Sequence, residues 1–312
     1  MKEVERFRPM RLHKKKYRDA KTGLIFALIP IVGYLLFSIV PQLMSFLMSF
    51  GDVPSVYFDE MKFTGIGNYK AMLTDVRFWK ALGNTFFYAI STAVCIVLGL
   101  GVALLLSRQT LKAKGLYRVI FFIPYVCSLV ATSIMWQWIF EADYGILNGI
   151  LTKLFGESAR VRWLDEPNGF RFAVLLMSIW SGYGYNVLLY QSALAAVDKN
   201  LYEAADLDGA GAWKKFVHVT LPSISPTTFY MVTMGVIGAM QAFTTQQVWG
   251  GNTGGPEQAG LTAVYYVYIM GISAPAAYGM GLACAAAWLL AIFIFVATRI
   301  CFWTRKFWVS ED

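Results

Sequence analysis

The sequence is short of charge, of histidine and of cysteine in any ligating pattern. Charged residues make up 15% of the 312 positions, against about 25% in soluble globular chains. A protein of this size cannot cover its surface in water with so little charge, and a disordered chain would need far more. The two histidines, His13 and His218, are too few and too scattered for a metal centre. The four cysteines (Cys95, Cys127, Cys284 and Cys301) form no CxxC pair and lie in apolar runs, the setting of small buried hydrophobes. No GxxxxGK[ST] phosphate loop occurs, so the chain carries no such nucleotide site of its own. Two carboxylate pairs, Glu141 with Asp143 and Asp165 with Glu166, sit in a polar connection with nothing to enclose them. They read as a solvated face, and no catalytic or metal site is expected.

Apolar residues are present in excess: 57% of the chain, with mean hydropathy +0.51. Six runs approach or exceed the ~20 residues a helix needs to cross a bilayer: 23–50, 84–106, 119–140, 171–197, 223–248 and 278–301. Only helices satisfy their backbone within one segment in lipid, so the expected fold is an all-α polytopic membrane protein with six transmembrane helices. The first run lacks a small-residue cleavage site and reads as a retained helix.

Basic residues set the sidedness. Alternate segments, starting with the N-terminal one, hold 19 of the 27 Lys and Arg, and the opposite side holds 7. The positive-inside rule places both termini in the cytoplasm of a multi-pass plasma-membrane protein. The chain then divides into a basic cytoplasmic segment (1–22), the first span (23–50), an external amphipathic segment (51–83), a core (84–301) and a cytoplasmic tail (302–312). The net charge of +8 therefore reads as sidedness and lipid contact, with Lys14, Lys15 and Lys16 against anionic headgroups, and not as nucleic-acid binding. Residues 63–83 read as an interfacial helix anchored by Phe78 and Trp79. Residues 261–272 are apolar but too short to span, which fits an interfacial or re-entrant segment before Pro275.

The cytoplasmic connection 198–222 is more than a linker. LYEAADL favours helix, Asp208-Gly209 is a turn signal, and AWKKFVHV forms a second short helix expected to stop near Leu221-Pro222. Helix, glycine turn and helix make a hairpin whose small Ala204 and Ala205 admit a partner backbone, and whose Glu203, Asp206 and Asp208 can meet basic groups or cap helix ends.

These residues carry a resemblance. Glu203-Ala204-Ala205, Gly209, Val219 and Leu221-Pro222 match the EAA–x3–G–x9–I–x–LP signature of the permease subunits of bacterial ABC importers. Val219 replaces the usual isoleucine, and Asp198 stands where many members have proline. FTGIGNYKAML, FWKALGNTFFY, YRVIFFIPYVCSLVATSIMWQWIF with Gly145-Ile146-Leu147-Asn148, Asn252-Thr253-Gly254-Gly255-Pro256 with Thr262, and Tyr278–Ala283 are similar to stretches of the carbohydrate branch, on the pattern of the larger maltose-type subunit. The resemblance implies a type I ABC importer permease fold with a cytoplasmic EAA coupling loop. It also implies two cytosolic ATPases that hold ATP and Mg, a second and different permease subunit, and an extracytoplasmic solute-binding protein. This chain itself would hold no cofactor. Glu203, Ala204, Ala205, Asp208 and Gly209 are its expected ATPase-coupling residues.

A sugar needs hydroxyl partners and flat rings in a protein-lined space. The fourth and fifth runs supply Ser178, Trp180, Ser181, Gly182, Tyr183, Gly184, Tyr185, Gln241 and Thr244–Gln247. Of these, Gly182, Tyr185, Gln241 and Thr244, with Met240, match the sugar-binding helices of the maltose-type subunit. Ser178, Trp180, Ser181, Gly182, Tyr185, Met240, Gln241 and Thr244 are the expected substrate path. Glycine and serine in spans also serve helix packing, and tyrosine at span ends also anchors in headgroups. An ion-coupled carrier would want intramembrane ionisable residues, and a membrane enzyme would want clustered His, Asp or Glu. The runs offer neither. A different polar cargo, such as glycerol phosphate, would want Arg or Lys in the path.

Overall fold

The computed structural model of the chain describes residues 10–53, 61–107 and 112–310. The first nine residues of the expected basic segment and the last two of the expected tail lie outside the described residues. Helix α1 (Met10–Tyr34) runs through a π turn (Leu35–Ile39) into α2 (Val40–Met48), so Lys14–Lys16 share one helical backbone with the first span. A two-residue antiparallel pair, β1 (Gly51–Asp52) and β2 (Lys62–Phe63), follows, with Gly51 opposite Phe63.

The segment 63–83 is not one interfacial helix. Helix α3 (Gly67–Thr74) stops at Asp75, whose carboxylate accepts the Arg77 N–H at 2.7 Å and so starts α4 (Val76–Ser107) as an N-cap does. Phe78 is fully buried against Trp79 and Tyr266 instead of anchoring at an interface. Trp79 remains partly exposed.

Among the described residues, four helices are long and apolar enough to cross a bilayer: Thr22–Met48, α4, and the later helices Pro167–Ala196 and Met280–Arg305. The run 119–140 is broken. Its halves, α5 (Lys114–Val126) and α6 (Leu129–Ile139), meet at 94°, because Cys127 and Ser128 take extended ψ values just after Pro124. Next come α7 (Ile146–Phe155), α8 (Pro167–Ala196), α9 (Lys199–Leu207), α10 (Ala212–Lys215) and α11 (Leu221–Met240). The run 223–248 also divides: α11 ends at Gln241, and α12 (Thr244–Gly250) follows Phe243 at φ −146°. Helix α11 itself carries Pro222 and Pro226 and five serines and threonines. The six expected spans thus correspond to four unbroken helices, one bent pair and α11.

Residues 261–272 form α13 (Ala263–Tyr268) and a π turn (Ile269–Ser273). They are buried inside the bundle against α3, α4 and α15 (Met280–Arg305), with Tyr265 and Tyr266 in the core. The short α14 (Pro275–Tyr278) links α13 to α15.

Three π turns occur among the described residues, and each is followed two residues later by a proline: Pro41, Pro222 and Pro275. A proline ring clashes with the carbonyl four residues back, and its nitrogen donates nothing. At Pro41 and Pro222 that carbonyl lies inside the widened turn of a helix that continues, which makes room for the ring. At Pro275 the chain has already left the helix at Ala274, and the proline starts the next one.

The bundle is held by close helix crossings. A Cβ on Gly184 of α8 would lie 2.2 Å from the Phe121 carbonyl of α5, and one on Gly99 of α4 would lie 2.5 Å from Asn186 Cβ of α8. The connection 141–166 is pinned by buried Asn148. Its amide donates to the Ala142 and Val161 carbonyls at 2.9 and 2.8 Å, and its oxygen accepts from the Trp163 indole at 3.0 Å. The Gly254-Gly255-Pro256 turn, at φ +86° and +75° on its glycines, folds over Phe170. Tyr88 and Asn84 of α4 bind its descending carbonyls at Ala259, Gln258 and Leu261, at 2.8–2.9 Å.

Candidate functional site: an exposed hairpin joined to a neutral cavity

The hairpin begins with Asp198, whose carboxylate accepts the Asn200 N–H at 2.9 Å and caps α9. The residue that departs from the usual proline thus supplies the helix entry by another means. At the far end Asp208 is the C-cap and Gly209 takes φ +68°. Gly209 N–H donates to the Asp206 carbonyl at 3.0 Å and Ala210 N–H to the Ala205 carbonyl at 2.9 Å. This pair of bonds is a Schellman cap, which needs a left-handed residue where Gly209 stands.

The return helix does not stop at Leu221-Pro222. Helix α10, the π turn Phe216–Thr220 and α11 form one continuous helical path, with Leu221 N–H bonded to the Phe216 carbonyl. The proline that signals a helix end is absorbed by the π turn. Two side-chain contacts fasten the arms together: Tyr202 and Thr220 share a hydroxyl–hydroxyl hydrogen bond at 2.9 Å, and Lys215 pairs with Asp206.

Glu203, Ala204, Asp208 and Gly209 are exposed, and Ala205 is half-buried. Leu207 and Trp213, two large apolar side chains beside the glycine turn, are 91% and 74% exposed. In the sequence Leu207 stands out only as the end of the helix-favouring LYEAADL stretch, and Trp213 only as part of the second short helix. The available signal was a tryptophan and a leucine beside the glycine turn of a charged loop.

A half-open cavity, of about 420 Å³, lies among α4, α5, α8 and α11. Ser178, Gly182 and Tyr185 of the expected path line it. They are joined by residues that sequence reasoning missed: Ser91 and Thr92 from α4, Tyr125 from α5 and Asn186 from α8. The Tyr125 and Tyr185 rings stack at 5.0 Å and 23°. None of the lining residues is charged. Tyr125 becomes a wall residue because the α5–α6 bend follows it closely; Pro124 was the available signal of a break, but not of its angle.

The other expected path residues sit elsewhere. Trp180 packs edge-on against Trp136 at 5.6 Å. Ser181 donates to the Ser178 carbonyl at 3.2 Å. Met240 is 1% exposed and packs with Leu82, Ala263 and Leu290. Gln241 is exposed at the break after α11, next to the lining residue Ala242, and Thr244 is half-buried at the start of α12. The groups of three or more His, Cys, Asp or Glu that could hold a metal are absent among the described residues.

A bundle of long apolar helices with a half-open neutral cavity and a projecting helical hairpin is an architecture suited to a membrane permease. The sequence profile of the binding-protein-dependent transport system inner membrane component matches residues 95–303, and the chain belongs to that family. It is 34% identical over 274 residues to the arabinooligosaccharides transport system permease protein AraP of Bacillus subtilis (strain 168), covering 86% of this chain and 84% of that one. It is 31% identical over 255 residues to the lactose transport system permease protein LacF of Rhizobium radiobacter, covering 81% and 84%. A chain of a bacterial alginate ABC transporter, solved in complex with an alginate pentasaccharide-bound periplasmic protein, superposes with a TM-score of 0.77 at 21% identity, covering 95% of this chain and 97% of its own. That likeness establishes the same fold.

Proposed function

We propose that this chain is one permease subunit of an ATP-driven importer of a neutral sugar or oligosaccharide. Its partners are two cytosolic ATPases, a second and different permease subunit and an extracytoplasmic binding protein. Both termini face the cytoplasm, and ATP and Mg reside on the ATPases. The observation that carries this reading is the continuity of helix from Ala212 to Met240. It joins an exposed hairpin, with Glu203, Ala204, Ala205, Asp208 and Gly209 at its turn, to the helix that walls the cavity. Movement of a partner against the hairpin then moves a cavity wall as a rigid body.

The cargo assignment is supported by the named cargoes of the relatives and by the cavity itself. Stacked Tyr125 and Tyr185 offer a flat face, and Ser91, Thr92, Ser178 and Asn186 offer hydroxyl and amide partners. A phosphorylated cargo finds no Arg or Lys among the lining residues.

The test is uptake by the complete complex in liposomes, with binding protein, ATP and labelled neutral or phosphorylated solutes. ATP-dependent entry of a neutral saccharide is expected, reduced by Tyr185→Ala without loss of assembly. Uptake that needs no ATPase, or that carries only the charged solute, overturns the reading.

A further inference from the structure

The last helix is fastened to the hairpin's root. Helix α15 runs to Arg305, and the chain then closes into a turn, with Phe307, Trp308 and Val309 N–H bonded to the Thr304 and Arg305 carbonyls at 3.0–3.2 Å. Ser310 N–H donates to Ser225 Oγ at 2.9 Å. Ser225 is buried in the first turns of α11 and donates in turn to the Pro222 carbonyl at 2.6 Å. One turn further along α11, Phe229 receives the Phe302 ring edge-on at 5.2 Å, the Trp308 ring at 6.1 Å and the Arg305 guanidinium over its face at 5.6 Å.

All of these contacts land on Ser225–Phe229, just past the π turn. A helix pushed at one end bends where its hydrogen bonding is irregular, and the Phe216–Thr220 turn is such a place. Without a brace beyond it, part of any displacement of the hairpin would be lost as bending. The brace is attached at discrete points. Open hollows of about 630 and 340 Å³ flank it, one lined by Pro226 and Arg305, the other by Val217 and Trp308.

We propose that residues 302–310 form a strap that ties α15 to the root of α11 and stays closed throughout the transport cycle, so that hairpin movement reaches both helices together. Phe229, Ser225 and Trp308 are its positioning residues. This rests on the coupling role proposed above.

The experiment measures sugar moved per ATP hydrolysed by the complete complex in liposomes. Trp308→Ala is expected to lower that ratio several-fold with ATP hydrolysis per complex retained, and Trp308→Phe to restore it. An unchanged ratio in assembled Trp308→Ala complex overturns the strap. A second arm holds if that variant fails to assemble. Ser225→Cys with Ser310→Cys, in a chain whose four native cysteines are replaced by serine, is oxidised with diamide, which takes up the two electrons and two protons as the S–S bond forms. The cross-linked complex is expected to transport at the ratio of its reduced form. Loss of transport on oxidation, regained with dithiothreitol, shows that the strap must open and overturns the proposal. Absence of ATP-dependent uptake by the unmodified complex would instead count against the coupling role.

Discussion

At Gly209 a single backbone angle decides whether the hairpin closes. Its φ of +68° costs an L-residue with a Cβ about 1–2 kcal/mol, although a Cβ there would meet nothing within 4 Å. Gly209→Ala should therefore loosen the turn without a clash. Gly209→Pro should destroy it, because proline fixes φ near −65° and removes the N–H that bonds to Asp206. In the assembled complex we expect graded loss of uptake per ATP, small for alanine and nearly complete for proline. Equal, normal coupling in both variants would refute a mechanical role for the turn. This residue was legible in the sequence because a glycine cap is a local signal. Tyr202 and Thr220 were not, since their hydrogen bond depends on how the two arms lie side by side.

Helix crossings set what each glycine of α8 can tolerate. Gly184 faces the Phe121 backbone, with a Cβ position 2.2 Å from its carbonyl oxygen, whereas Gly182 faces the Cys95 sulfur at 3.1 Å. Alanine gains about 1 kcal/mol of helix propensity over glycine. Overpacking costs about 1–3 kcal/mol or more when the neighbour cannot move. Gly184→Ala is thus expected to lower the yield and thermal midpoint of the purified subunit, and Gly182→Ala to leave both close to wild type; the reverse order would show that the α5–α8 crossing is not the tight one. The two glycines read alike in the sequence, as a loosened stretch of the fourth run. The structure separates them: Gly184 is a packing contact and Gly182 lines the cavity. The elements themselves were visible as apolar runs. The bend at Cys127-Ser128 and the passage of α10 into α11 through Pro222 were not, because proline sets a constraint that a bend or a π turn can each satisfy, and the break at Gln241–Phe243 has no proline to mark it.

For the whole molecule, basic-residue asymmetry and the hairpin make one joint prediction. With a thiol reagent that cannot cross membranes, applied to intact cells expressing the complex with serine in place of the native cysteines, Asp143→Cys should react from outside. Leu207→Cys should react only after the membrane is opened. The opposite pattern would invert the proposed orientation. The sequence by itself determined that the chain is a helical membrane protein, where its long apolar runs lie and which connection is a hairpin. Those properties follow from hydropathy, caps and turns acting over a few neighbouring residues. Only the tertiary structure decided which side chains share a cavity and which segments brace one another. Thr92, Tyr125 and Tyr185 meet because three helices cross at small residues, and Trp308 reaches Phe229 because α15 returns beside α11. Contacts between residues so distant in the chain depend on crossing angles and close approaches that no local pattern encodes.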